Sequence, residues 1–404
     1  MNSEPQLKLR NEDIVLISNQ MLEDRYWTSK QYITQEIVKS NRVLYVEANY
    51  SFGKLFLGLV KGSWPVHPFG SLRRVSENLW VLTPLPRLPL RNHLRVCGWL
   101  NQSLLRWKIR SATKKLEFHE SILWTFLHQT AELIGTLGEK VSLYHCVDDW
   151  PALLPMAGMG RPARIIKDEN ELLDKVDIIF RVSQKLLADR QLEHKTVVDI
   201  PNGVDTNLFR IPSPTETRIF EDLNELPEPI IGFSGSVGNW VDVSLFRKVA
   251  EKFSHCSVVL IGLNEKNPRL TEILNTPNIH FLGMKKREDV PHYLAKFDVC
   301  LMPFDKGQIG EGLLPLKMFE YLALGRPIVT ISSKTMETFE DVLYCADDHQ
   351  SFLNQVGKAL NEGIDQDKIE ARVQRAQEYS WQRRVELYGE RINRTIAQGE
   401  IHAE

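Results

Sequence analysis

The five cysteines of this 404-residue chain, Cys97, Cys146, Cys256, Cys300 and Cys345, stand far apart, and no two make a C-x-x-C pair. That spacing excludes the common structural zinc frameworks and the dithiol redox motif. It leaves reduced thiols, with Cys146, Cys256 and Cys300 in or beside apolar runs where burial is the expected role. Missing as well is any window of about 18 uninterrupted apolar residues, so no membrane-spanning helix is expected. The first residues, MNSEPQLKLRNED, are polar and lack the apolar stretch of a signal peptide. A soluble cytoplasmic protein, at most peripheral on a membrane, is the expectation. The 50 Lys and Arg are matched by 52 Asp and Glu, for a net charge of -2, so bulk nucleic-acid binding is not suggested. The D-x-D at Asp365 to Asp367 lies in a highly polar late segment and reads as solvated surface. Metal chemistry is not indicated.

Acidic residues are scarce in one place. From Ala48 to Leu116 only Glu77 is acidic, against twelve Lys or Arg that include Arg106, Lys108 and Arg110. Seven aromatics, from Phe52 through Trp99 to Trp107, are interleaved with them. One reading is an ordinary helical region with core aromatics and solvated charges. The other is a surface that lies on anionic lipid, through residues 48–116.

What is present is an alternation of short apolar runs and helical spacings. DIVLIS (Asp13 to Ser18) and RVLYVE (Arg42 to Glu47) read as strands, and Thr28 to Ser40 between them has helical spacing. Strand, helix, strand makes a βαβ unit with a parallel sheet. NLWVLTP, VSLYHCV, VDIIFRVS and TVVDIPN continue the strands, and Leu90 to Leu137 reads as helical, in pieces broken near Gly98 and Ser111. Pro201 to Pro229 is rich in Pro, Asn, Asp, Glu and Thr and reads as a linker. After it IIGFSG, SVVLIGL, IHFLG, DVCLMPF, PIVTI and VLYCA restart the alternation. The pattern predicts two doubly wound α/β domains, whose ligands bind beyond the carboxyl ends of the strands. The interdomain cleft is then the default site.

In LLPLKMFEYLALGRPIV (Leu313 to Val329) a helix of about ten residues is expected from Pro315, as its first residue, to Leu324. Lys317 and Glu320 share one flank of it. Lys before Glu is the poorer order for a helical ion pair, because it opposes the macrodipole. A helix amino terminus is, however, a natural anion site. A lysine there suits a diphosphate, and a carboxylate one turn deeper suits the paired hydroxyls of a ribose.

This segment resembles the nucleotide-binding element of GT-B glycosyltransferases, in particular the family 4 group and its relatives acting on cell-surface polysaccharides of the teichuronic-acid type. That element reads E-x7-E with an Ala-Gly-x-Pro-Val-like ending. Glu320 matches the second glutamate, implying a donor-ribose contact, and ALGRPIV matches the ending. Gly312 stands where the first glutamate is expected, with Glu311 one position away. VVDIPNGVDTNLF resembles a PNGVD-x-x-x-F signature through Asn202, Gly203, Val204, Asp205 and Phe209. IIGFSGSVGNWVD resembles the first strand and loop of the second domain, with Gly235, Ser236 and Gly238 placed to let backbone approach donor phosphates. FLGM, ending in Met284, matches a loop that touches the base, and Leu316 lies at the same helix start.

LYHCVDDW (Leu143 to Trp150) resembles the place where such enzymes keep a histidine or aspartate near the transferred sugar, which makes His145, Asp148 and Asp149 the catalytic candidates. The two aspartates also fit as caps of a following turn. Trp27, Thr28, Ser29 and Lys30 occupy the entrance of the first helix, either lining the acceptor side or, for Thr28 or Ser29, capping the helix. Trp99, Arg106 and Trp107 join them as acceptor-side or membrane-side candidates.

The resemblance implies an α/β GT-B protein. It would have two Rossmann-like doubly wound domains (1–210 for acceptor, 211–376 for donor) facing a cleft, and a C-terminal helix (377–404) crossing back. It implies a metal-independent, retaining hexosyltransferase with no cofactor beyond its nucleotide-sugar donor, and a saccharide or lipid-linked acceptor. The alternatives are a GT-B-fold epimerase and a catalytically silent nucleotide-binding or scaffold member.

Overall fold

In the computed structural model, residues 9–48, 67–87, 95–156, 161–213, 216, 220–265, 267–305 and 314–403 are described. The chain divides into two compact units, Met1–Ile200 with Arg384–Glu404, and Pro201–Arg383. The first unit ends at Ile200 and takes up the chain again from Arg384.

Among the described residues the first unit has eight strands: β1 (Asp13–Ile17), β2 (Arg42–Val46), β3 (Leu72–Ser76), β4 (Leu79–Leu82), β5 (Ser121–Thr125), β6 (Glu139–Cys146), β7 (Ile178–Arg181) and β8 (Thr196–Asp199). They form one sheet in the order β3-β4-β2-β1-β5-β6-β7-β8. β3 and β4 pair antiparallel; the other neighbours are parallel. Helices α1 (Ser29–Ile37), α2 (Arg95–Lys115), α3 (Trp150–Met156) and α4 (Pro162–Leu173) make the crossovers between parallel strands. The central strands β1 and β5 are buried at every position, which is why they read as unbroken apolar runs.

The long helical region expected from Leu90 to Leu137 is corrected here. α2 is a single helix that passes through Gly98 and Ser111 without a break, and Ser121–Thr125 is a strand. β5 lies inside the sheet between β1 and β6, is buried at every position, and so shows no alternation. A five-residue apolar run of that kind has no period by which to separate strand from helix.

Among its described residues the second unit has six parallel strands: β9 (Ile230–Ser234), β10 (Ser257–Ile261), β11 (Ile279–Gly283), β12 (Val299–Met302), β13 (Ile328–Ile331) and β14 (Tyr344–Ala346). Their order is β11-β10-β9-β12-β13-β14. Its helices are α5 (Glu221–Asn224), α6 (Val243–Lys252), α7 (Pro268–Ile273), α8 (Val290–Leu294), α9 (Leu316–Ala323), α10 (His349–Glu362) and α11 (Gln366–Glu378). The segment read as a linker is partly core: Val204 and Phe209 are buried with Met318, Phe319 and Tyr321. Val204 also exchanges backbone hydrogen bonds with Tyr379 and Trp381. Asp365 of the D-x-D caps α11, accepting from Lys368 N–H at 3.2 Å.

The last helix, α12 (Trp381–Ala403), starts in the second unit and is counted with the first from Arg384. Its Tyr388 is fully buried among Trp124, Phe180 and His145, at centroid distances of 5.4, 4.8 and 5.0 Å.

Candidate functional site

In the second unit the candidate residues converge on the carboxyl end of β9. β9 ends at Ser234, held by Tyr321 of α9, whose phenolic oxygen accepts from Ser234 N–H at 2.8 Å in the buried core. The chain then turns at Gly235, where φ is +140°, a conformation side chains disfavour. A Cβ at this position would lie 2.5 Å from Lys317 Nζ. The ammonium sits over the Phe233 ring at 4.0 Å and near Phe304 at 5.6 Å, attracted by the ring faces.

α9 is eight residues long, with Pro315 as its N-cap rather than its first helical residue; ψ of 142° keeps that proline extended. Lys317 and Glu320 occupy its first two turns as expected, and Leu316 opens the helix half-buried. Burial pushes the Lys317 ammonium down to about 7, with Glu320 opposing the shift. Burial likewise pushes the Glu320 carboxyl up to about 7, against the attraction of Lys317 and Arg287. Arg287, beyond β11, is anchored to Asp205 at 2.7 Å. Both side chains are half-buried, and burial shifts each toward its neutral form, a pattern of functional sites and of structural ion-pair networks alike.

The other donor-side candidates divide. Ser236 follows Gly235 in the same loop, half-buried, and Met284 follows β11 as an exposed side chain. Gly238 has a packing reason of its own: a Cβ there would meet the Trp240 ring at 2.4 Å. Glu311 lies outside the described residues.

In the first unit β6 carries His145 inward. Its ring is fully buried, stacked on Phe126 at 4.9 Å, with Tyr388 Oη 3.4 Å from Nε2. Burial and the nearby Lys30 charge push its pKa down to about 3, so the imidazole is neutral. It belongs to an aromatic cluster and has no surface toward a substrate. Asp148, beyond the strand, faces Lys30 of α1 at 3.7 Å. Lys30 is buried, and desolvation lowers its pKa, opposed by Asp148. Asp149 caps α3, its Oδ1 accepting from Ala152 N–H at 3.1 Å.

Asp148 and Asp149 also line a cavity of about 450 Å³ with Cys146, Glu169, Lys185 and Arg190. That volume lies in the range of small-molecule sites. Of the remaining candidates, Thr28 is the N-cap of α1, with Gln31 Oε1 accepting from its N–H at 3.0 Å. Trp27 packs edge-on against Tyr32 at 5.3 Å. Trp99 and Trp107 of α2 are 59% and 58% exposed, and Arg106 donates to Glu132 O at 2.8 Å. Among the described residues no helix is long and apolar enough to cross a membrane.

Sequence reading missed three contributors. Phe233 was visible only as a strand residue, and Arg287 lies in a charged loop with no motif. The pairing of Lys30 with Asp148 joins two candidates read as separate, across a distance in sequence that no local pattern spans.

Residues 228–362 match the family described as "Glycosyl transferases group 1". Over 259 residues the chain is 26% identical to TuaH of Bacillus subtilis (strain 168), described as a teichuronic acid biosynthesis glycosyltransferase. The match takes in 59% of this chain and 63% of that relative, so the chain spans less than two thirds of the relative's length. Among solved structures, sucrose-phosphate synthase from Thermosynechococcus elongatus superposes with a TM-score of 0.68 at 15% identity, over 96% of this chain and all of that one. HepE of Anabaena, solved in complex with UDP-glucose, gives 0.58 at 14% identity, over 96% and 99% of the two chains. The chain has the GT-B fold and is related to the group 1 and teichuronic-acid-type glycosyltransferases.

Proposed function

We propose that the chain is a glycosyltransferase that moves a hexose from a nucleoside-diphosphate sugar to a saccharide or lipid-linked acceptor of a cell-surface polymer or glycolipid. The observation that carries this reading is the placement of Lys317 against the bare backbone of Gly235, with Glu320 one turn further along α9. The cation and the helix N–H groups suit a diphosphate, and the carboxylate suits a ribose diol. HepE, with its bound UDP-glucose, and TuaH, described for teichuronic acid biosynthesis, support donor and product class respectively.

In the reaction an acceptor hydroxyl oxygen bonds to the anomeric carbon as the bond from that carbon to the diphosphate oxygen breaks. The hydroxyl proton leaves to the departing phosphate, or to Asp148 if that carboxylate reaches the acceptor. Lys317 and the first N–H groups of α9 stabilise the charge that gathers on the diphosphate, which is where most of the rate gain arises. Retention of configuration and independence of metal follow the resemblance of the α9 element.

The experiment is titration calorimetry of UDP and uridine against the wild type and Lys317→Ala, with Glu320→Ala assayed for sugar transfer. Lys317→Ala should weaken UDP far more than uridine, and Glu320→Ala should abolish transfer with folding intact. Equal losses for both ligands remove the diphosphate role. Donor consumed without any acceptor, by epimerisation, turns the assignment to an epimerase.

The α2 face adds a membrane reading. Trp99, Ser103, Arg106, Trp107, Arg110 and Lys114 fall on one side of a 3.6-residue helix. Two exposed indoles among cations suit the interface of an anionic bilayer, which supports the reading of a peripheral protein on a membrane that holds its acceptor.

A further inference from the structure

The cavity beyond β6 and β7 has a composition that says what it holds. Its buried members are Cys146, Glu169 and Leu187; Arg190 is half-buried, and the exposed ones include Asp149, Lys185 and Asp189. Glu169 is 1% exposed and engaged on both oxygens, by the Tyr144 hydroxyl at 2.9 Å and by Arg190 Nη2 at 3.2 Å. Arg190 has a side chain only 9% exposed, is also paired with Asp189, and keeps its Nε buried with no hydrogen-bond acceptor among the described residues. A buried guanidinium donor without a partner is costly unless a ligand or water supplies one. The loop that brings Arg190 in carries Leu187 at φ of 62°, an outlier for a bulky side chain, held by its own burial in the unit's core. Strain of that kind collects where a loop is fixed for a ligand.

The lining mixes carboxylates and cations with the apolar walls of Ile166, Leu186 and Leu187. Such a wall accepts a sugar ring, whose hydroxyls donate to carboxylates and accept from guanidinium, and whose C–H face lies on aliphatic carbon. Its charge is unbalanced. Four carboxylates, Asp148, Asp149, Glu169 and Asp189, face two cations, Lys185 and Arg190. Even with Lys30 beside Asp148, the sum stays negative.

Resting on the transferase reading above, we infer that this cavity seats the terminal sugar ring of the acceptor and selects rings without negative charge. Uncharged hexoses and N-acetylhexosamines enter; uronates and sugar phosphates are turned away by the carboxylates of the lining. Like charges brought together at a binding surface oppose association, and such opposition is a common source of specificity. A polymer that contains both kinds of sugar would therefore be extended by this chain only from its neutral residue.

The test is saturation-transfer NMR on the full chain at pH 7.5, with methyl β-glucoside, the methyl glycoside of N-acetylglucosamine and methyl β-glucuronide as probes. Thermal shift with UDP is recorded in parallel. The neutral glycosides should receive saturation, and the glucuronide should bind about fivefold or more weakly. Asp189→Lys, at an exposed position, should raise glucuronide binding relative to the neutral probes; Asp149→Asn should do so to a smaller degree. Equal binding of charged and neutral probes overturns the inference, as does a preference that Asp189→Lys leaves unmoved. Stabilisation by UDP with no glycoside signal also overturns it, and leaves the transferase reading standing. Neutral glycosides bound without any UDP effect would keep the cavity's selectivity and remove the transferase reading instead.

Discussion

Lys317 and Gly235 occupy adjoining space because one has a long side chain and the other has none: a Cβ on residue 235 would stand 2.5 Å from the ammonium. Gly235→Ala is therefore expected to fail twice. The φ of +140° strains any side chain, at a cost of about 1–3 kcal/mol, and the new methyl displaces Lys317 from its place over Phe233. UDP affinity should drop about tenfold or more, a loss of about 1.4 kcal/mol of binding per decade, with uridine affected less. Urea unfolding and calorimetry on the same variant separate the two effects.

The Lys317–Glu320 pair gives stability an unusual pH profile. Burial brings Glu320 up to about 7, so between its ordinary value of 4.5 and 7 the folded state holds a proton the unfolded chain has lost. Stability from this group falls as pH rises through that window. Burial brings Lys317 down from 10.5 to about 7, so above 7 the unfolded chain holds the extra proton and stability rises again. The pair's contribution is least near neutral pH. Urea midpoints measured from pH 5 to 10 should show the dip, and the double variant Lys317→Met/Glu320→Gln should flatten it.

Nucleotide binding should add its own pH signal. A diphosphate favours the charged ammonium and raises the pKa of Lys317, so binding near pH 7.5 should take up protons. Calorimetry in buffers of different ionisation enthalpy reads that uptake. Lys317→Arg, charged at every working pH, should lose most of it.

Asp148→Asn removes the counter-charge of the buried Lys30, 3.7 Å away. The variant should lose about 1–2 kcal/mol of stability, since a buried cation left alone is costly. Adding Lys30→Met should return most of the loss, because the uncompensated charge goes with it. If Asp148 also receives the acceptor's proton, transfer falls about 100-fold in both variants alike. Stability restored without activity is the expected pattern.

Replacing Trp99 and Trp107 together by Ala should leave the unfolding free energy within about 0.5 kcal/mol of wild type, as both side chains are exposed. Sedimentation with phosphatidylserine vesicles at low salt should be lost in the same variant. Wild-type binding should itself weaken as salt screens the cations of α2.

Much of the fold is legible in the sequence because parallel strands are short apolar runs with turns at both ends. β1, β2 and β9 to β14 stand out on that ground alone. β5 does not, since Ser121–Thr125 is a five-residue run set after twenty-one residues of helix, and periodicity carried the helical reading across it. β3 escaped for the opposite reason: LRRVS is half-exposed or exposed throughout and carries two arginines. At the site, Lys317 and Glu320 share a helix and could be read together. Arg287 acts on the same carboxylate through its charge from another loop, and a through-space effect leaves no mark on local spacing. His145 shows the reverse, a residue type that suggests chemistry in a strand that turns it into the core.

α12 sets an order of events during synthesis. The first unit's aromatic cluster needs Tyr388, which emerges from the ribosome after every residue of the second unit. Domains made first ordinarily fold first. Here the half of the protein that is translated second can finish earlier, while the first half waits with Trp124 and Phe180 uncovered on one side. A nascent chain halted before Arg384 would carry a complete second unit and a first unit with an open apolar seam. Chaperone capture, if it occurs, should therefore map to the amino-terminal half and end when the last helix is released.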